Sequence, residues 1–224
     1  MYLSKVSFQS SDQARLLLAG LGNKGVYSAH QALWQLFTND EARSFLFREE
    51  QDDQGRPVFY VQSENEPEVD SSCFKVQSKR FEPKLYSGQR LSFSLRANPT
   101  VTVKNSQGKS HRHDVMMHAK RNAKLEGITD PEEIKELMEQ AAQQWLAAPD
   151  RLQDWGITLD TLPFIKSYQQ HRSRKSSDTT IQFSSVDYEG VLTVQDPDRF
   201  IGKLKQGVGK SKALGCGLML IKPI

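Results

Sequence analysis

Cysteine is almost missing from this chain: there are two in 224 residues, Cys73 and Cys216, and no C-x-x-C pair. That excludes a disulfide framework and leaves a thiolate zinc site without its ligands, and it fits a reducing compartment. Long apolar runs are missing too. No stretch reaches the roughly 18 residues a membrane-spanning helix needs, and Met1–Phe8 reads straight into a strand without a basic leader and apolar signal core. A soluble, cytoplasmic protein with no membrane partner is expected. Net charge is small, +3, with pI ≈ 8.8. Hydrophobic residues at 37% and charged residues at 25% exclude wholesale disorder. The length suits two domains of roughly 100 residues each.

What the chain does have is basic charge in two places. Between Lys104 and Lys124 lie Lys104, Lys109, Arg112, Lys120, Arg121 and Lys124 against the single acid Asp114, with His111, His113 and His118 among them. A second knot is Arg172-Ser-Arg174-Lys175. Either cluster alone is as well explained by a solvated surface, but two of them point to a polyanionic partner. The three histidines have no cysteine or paired carboxylate beside them, and neighbouring Arg112, Lys120 and Arg121 would repel a cation, so an RNA-contacting loop is expected there and no metal.

Periodicity supplies the elements. Ala14, Leu17 and Leu18 suggest a short helix over 11–20. A second helix is expected from Ser28, as a cap answered by Gln31, with Leu33, Leu36 and Phe37 as its apolar stripe. Strands are expected at 58–62, 74–81 and 89–97, the last with Leu91, Phe93, Leu95 and Ala97 alternating with polar residues. Asn98-Pro99 then breaks the pattern, and the domain boundary is placed there, giving domains 1–97 and 98–224. Beyond it, 101–104 reads as extended and the basic stretch as loop. Asp130-Pro131-Glu132-Glu133 opens the clearest helix, whose stripe of Ile134, Leu137, Met138, Ala141, Ala142, Trp145 and Leu146 is core. Paired strands around Glu189-Gly190, a helix capped by Asp196-Pro197, a glycine-studded turn over 207–217 and a strand over 218–222 complete the chain. Each half offers a β-α-β-β-α-β-like order, an α+β fold of two tandem ferredoxin-like, RNA-recognition-motif-like domains.

Two constellations bear on chemistry. Gly207-Val-Gly-Lys-Ser211 has part of a phosphate-loop signature, but the position five before Gly209 is Leu204, and a helix rather than a strand precedes it. Nucleotide hydrolysis is disfavoured; close backbone approach to a phosphate and a tight packed connection both stay open. Tyr27 and His30 lie three apart at a helix start, so both reach one side, and their groups move protons near neutral pH or orient a hydroxyl, although a helix-start histidine taken alone is more often structural than catalytic.

The start Met1-Tyr-Leu-Ser-Lys-Val6, the helix entry Tyr27-Ser-Ala-His30-Gln-Ala-Leu-Trp-Gln-Leu-Phe37, the strand exit Leu95-Arg-Ala-Asn-Pro99, the short Glu189-Gly-Val-Leu-Thr193 and the ending from Gln206 to Leu220 together resemble the CasE endoribonucleases of type I-E CRISPR systems. The resemblance spans essentially the whole chain. It implies tandem ferredoxin-like domains that hold the hairpin of a CRISPR repeat, cut the precursor RNA at its base, stay bound to the mature product and join the other subunits of the Cascade complex. It implies Tyr27 and His30 as the catalytic pair, with a supporting lysine in the poorly matched loop 172–178, where Lys175 is favoured and Arg174 is the alternative.

The chemistry so implied needs no cofactor and no metal-activated water, because the ribose 2′-hydroxyl is an internal nucleophile held beside its phosphate. His30 as base or acid, Tyr27 as its partner and Lys175 against phosphate charge would leave a 2′,3′-cyclic phosphate and a 5′-hydroxyl. An A-form stem offers phosphates and hydroxyls as the main handles. Arg96, Lys104, Lys109, Arg112, Arg172, Arg174, Lys210 and Lys212, with the backbone of Gly207 and Gly209, are the candidate RNA contacts. A non-catalytic module holding structured RNA is the alternative.

Overall fold

In a computed structural model of the chain, residues 1–24, 26–38, 40–69, 71–174 and 180–224 are described, with backbone alone at 22–24, 26, 27, 173 and 174. The first half runs β1 (Tyr2–Phe8), α1 (Asp12–Lys24), α2 (Val26–Leu33), a 3-10 turn (Trp34–Leu36), β2 (Phe45–Gln51), β3 (Pro57–Ser63) and β4 (Phe74–Arg80). These strands form one antiparallel sheet in the order β2-β3-β1-β4. Val6, Phe47, Phe59, Val61 and Phe74 are fully buried on it, and Leu33 and Leu36 close the core from the helical side. Full burial of one such side chain stabilises the fold by roughly 1.5–3 kcal/mol.

The second half begins with β5 (Arg90–Ala97), followed by the hairpin β6 (Thr100–Lys104) and β7 (Ser110–Asp114), then α3 (Val115–Leu125), α4 (Pro131–Leu146) and α5 (Pro149–Trp155). It continues through β8 (Ile157–Leu159), β9 (Phe164–Arg174), β10 (Thr180–Val194), α6 (Pro197–Gln206), a 3-10 turn (Lys212–Leu214) and β11 (Met219–Pro223). The sheet order is β11-β5-β10-β8, with β9 paired to the first part of β10. Counted within its own half, with β9 left out of the second, each sheet places its strands fourth, first, third, second. That is the ferredoxin-like arrangement, twice. In the first half the second helix of the pattern is replaced, among the described residues, by the connection 64–73.

Several expectations need correction. β5 is not the last strand of the first half: it pairs with β10 and β11, and Leu91, Phe93, Leu95 and Ala97 bury into the second core. Asn98-Pro99 ends a strand rather than a domain, so the boundary moves from 97/98 to the connection 81–89. The basic stretch 104–124 is hairpin and helix, not loop; Asp114 caps α3 by accepting from the Met117 amide at 2.6 Å. α2 begins at Val26, which places Ser28 inside its first turn instead of at the cap. Glu189-Gly190 is no turn either. β10 runs straight through it, and a Cβ at Gly190 would sit 3.0 Å from the Phe93 ring, so the glycine serves a close approach between strands. α4 and α6 stand as read: Asp130 accepts from the Glu132 and Glu133 amides and Asp196 from the Arg199 amide, each with proline at the helix start.

The halves are clasped by polar groups with non-local partners. Arg96 grips Asp187 through two bonds of 2.7 and 2.8 Å and donates to the Glu49 carbonyl of β2 at 2.7 Å. Arg48 of β2 donates to Ser94 Oγ at 2.9 Å, lies 3.9 Å from Asp187 and bonds Glu50. Buried Gln62 donates to the Leu204 carbonyl at 2.8 Å. Gly207, at φ 75°, seats the end of α6 on Leu46; a Cβ there would lie 2.6 Å from Leu46 Cδ1.

Candidate active site and nucleic-acid interface

His30 stands in the last turn of α2, half-buried in an aromatic setting that local sequence only partly supplies. Trp34 comes from the following turn, ring centroid 6.2 Å away and edge-on. Phe45 at 5.7 Å and Phe47 at 6.3 Å come from β2, the latter stacked at 25°. Desolvation in this setting, and then the positive charge of Arg43, hold the imidazole below the ordinary histidine range. At pH 7 it is therefore mostly neutral and able to accept a proton. Arg43 went unnoticed in the sequence. Its signal there is its position two residues before Phe45, whose ring packs on His30.

Tyr27 lies one turn before His30 on the α2 backbone, and its side chain is outside the described residues. Lys175 also falls outside them, as does the side chain of Arg174, the last residue of β9. Two other segments pack against α2: β9 and the 3-10 turn Lys212–Leu214, which β2 also touches. The fold thus brings three of the predicted regions together: the helix with Tyr27 and His30, the strand leading toward Lys175, and the glycine-rich loop.

Within that loop the Lys212 ammonium donates to the Gln206 carbonyl at 2.6 Å, and burial followed by Arg43, Lys203 and Lys210 lowers its pKa. Gly207 is buried between the halves, and Gly209, on the exposed side, has Trp145 beneath it. The Val208 amide bonds the Gly217 carbonyl at 2.9 Å, and Asn98 Nδ2 donates to Ser211 Oγ at 2.7 Å. These bonds make the loop a packed connection. Lys210 stays exposed at its rim.

Arg112, Arg172 and Lys210 come from β7, β9 and the glycine-rich loop, and they line one cleft of about 760 Å³. Lys104 and Lys109 are exposed on the hairpin beside it. Arg96 is displaced from the predicted set: its guanidinium is taken up by Asp187 and Glu49, as a clasp between the halves. The His113 and His118 rings stack at 5.7 Å, and among the described residues no group of three or more His, Cys, Asp or Glu is placed to hold a metal ion. No described helix is long and apolar enough to cross a membrane.

Against this geometry, a family model described as CRISPR associated protein matches residues 1–223. The CRISPR system Cascade subunit CasE of Escherichia coli (strain K12) is 32% identical over 228 residues, covering all of both chains. The CRISPR-associated endoribonuclease Cse3 of Thermus thermophilus is 32% identical over 171 residues, 75% of this chain and 74% of that one. Among solved structures, Thermus thermophilus Cse3 bound to an RNA representing a pre-cleavage complex matches with a TM-score of 0.71 at 30% identity, covering 99% of this chain and 98% of that one. This chain belongs to the family of CRISPR-associated proteins, among the CasE and Cse3 proteins.

Proposed function

We propose that the chain is a cytoplasmic endoribonuclease that binds the hairpin of a CRISPR repeat, cuts the precursor transcript at the base of that hairpin, and keeps the mature product as a subunit of a Cascade complex. The observation that carries this is the full-length 32% identity to a Cascade subunit; it is supported by a histidine whose burial lowers its pKa, on a helix against which β9 and the glycine-rich loop pack. In the reaction neutral His30 takes the proton of the ribose 2′-hydroxyl. The 2′-oxygen bonds to phosphorus as the bond from phosphorus to the 5′-oxygen breaks. Tyr27, one helical turn from His30, gives the leaving oxygen its proton and recovers one from protonated His30. The products carry a 2′,3′-cyclic phosphate and a 5′-hydroxyl.

A positioned acid or base contributes typically ~100- to 10,000-fold to such a step. Lys175, or Arg174 in its place, opposes the charge that builds on the phosphate oxygens. Because the nucleophile belongs to the RNA itself, the step requires no activated water. Lys104, Lys109, Arg112, Arg172 and Lys210 hold the RNA by its phosphates, which makes binding salt-sensitive. Cleavage of a repeat hairpin by wild type and His30→Ala in excess EDTA tests this reading. Cyclic-phosphate ends from wild type that vanish in the mutant support it, whereas intact RNA with both proteins points to a non-catalytic RNA-holding module.

A further inference from the structure

The cleft lined by Arg112, Arg172 and Lys210 has an aromatic floor. His171 of β9 and Phe183 of β10 are direct register partners, and their rings stack 4.5 Å apart at 16°. A bond of 2.8 Å between His171 Nε2 and Ser185 Oγ holds the imidazole in that plane. Desolvation, and then the charge of Arg96, keep the ring below the ordinary histidine range against the pull of Asp187, so it stacks as a neutral aromatic near pH 7. Both rings are half-buried and line the cleft. Arg112, Arg172 and Lys210 surround them as exposed cations, and none forms an ion pair among the described residues. The one acid in the wall, Asp114, is already engaged by the Met117 amide and the hydroxyls of Tyr168 and Ser184.

We propose that Phe183 and His171 form a platform for one unpaired nucleobase of the bound RNA, with Arg112, Arg172 and Lys210 taking the phosphates on either side of it; this rests on the RNA-processing function proposed above. Inside a stem each base face is covered by its neighbours, so the outer face of this ring pair, the one its partner ring leaves open, suits a base outside the stem. Stacking tolerates any base, which makes the site a holder of the flanking strand rather than a reader of its sequence. β9, the strand that carries His171, also packs against α2, the helix that carries His30. Holding the first unpaired nucleotide there would fix the strand's path at the base of the stem, where the cut is made.

The test uses fluorescence anisotropy with a repeat hairpin carrying four unpaired nucleotides on each side, the same hairpin without them, and a third version whose unpaired nucleotides are abasic. The wild type is expected to bind the flanked hairpin about 5- to 150-fold more tightly than the abasic version, the span of one stacked base. Phe183→Leu, which fills the space without a π-face, is expected to collapse that ratio toward one, and Phe183→Trp to retain it. An unchanged ratio in Phe183→Leu, or a wild-type ratio near one, would overturn the platform while leaving the proposed function standing. Failure of the wild type to bind any of the three RNAs would instead remove the function on which the platform rests.

Discussion

Removing the Asp187 charge tests the buried charge cluster at the seam, where Asp187 and Arg96 of the second half's sheet meet Arg48 of β2. The Asp187 carboxylate is 9% exposed, opposite Arg96 at 19% and within 3.9 Å of Arg48 at 5%. Asp187→Asn leaves two largely buried guanidinium groups facing an amide, and breaking one partner of a buried pair typically costs about 3–5 kcal/mol. Glu50 bonds Arg48 and lies 3.8 Å from Arg96, and Ser94 and the Glu49 carbonyl also take bonds, so the expected loss sits toward the lower end, near 3 kcal/mol. That is a large share of the roughly 5–15 kcal/mol by which domains are stable. Urea denaturation measures it as a lower midpoint at constant slope. In an Arg96→Gln background the same substitution should cost less, by about 0.5–3 kcal/mol of coupling. Burial alone would raise the Asp187 pKa, but bonding and charge from Arg96, then the charge of Arg48, outweigh it and hold it low. The pair's contribution is therefore complete above the unfolded carboxyl value near ~3.9 and is lost as pH falls through the lower folded value. A midpoint shift worth less than about 1 kcal/mol, or equal costs in both backgrounds, would refute this account of the clasp.

Two further outcomes follow from other parts of the molecule. His30 has a pKa below its ordinary ~6.5, and as the base it works only when neutral; the single-turnover rate should be flat from about pH 7 upward on that limb and fall at lower pH, with the inflection under ~6.5; an inflection above that value would contradict the lowered pKa, and a rate that does not fall on acidification would exclude the neutral-base role. Gly207→Val would place carbon within 2.6 Å of Leu46 at φ 75° and ψ 160°, a region almost reserved for glycine, so strain and overpacking together should cost about 2–6 kcal/mol in urea denaturation, and a near-neutral result would contradict the packing described.

What the sequence reveals divides by the range of the interactions. α4 and α6 are readable because Asp130-Pro131 and Asp196-Pro197 act on amides two or three residues away. β2 is hidden because Phe45-Leu-Phe-Arg48 is buried on both faces, one against His30 and one against the second half, so no alternation appears. A buried Arg48 makes sense only once Ser94 and Asp187 are beside it. Likewise Arg96 looks like any exposed strand cation until the ladder puts Asp187 directly opposite. The site follows the same rule. His30 and its one-turn spacing from Tyr27 are visible in sequence, as are the cations of the cleft, whereas Arg43 and the His171–Phe183 stack come from segments joined only by folding.

The central claim is that His30 cuts RNA, and the direct measurement is cleavage of the repeat hairpin in excess EDTA by wild type and His30→Ala, with fragment ends identified by mass spectrometry. The account predicts 2′,3′-cyclic phosphate and 5′-hydroxyl ends from the wild type and a loss of ~100-fold or more in the mutant while hairpin binding persists. Cleavage at an undiminished rate by His30→Ala, or ends other than these, would contradict it.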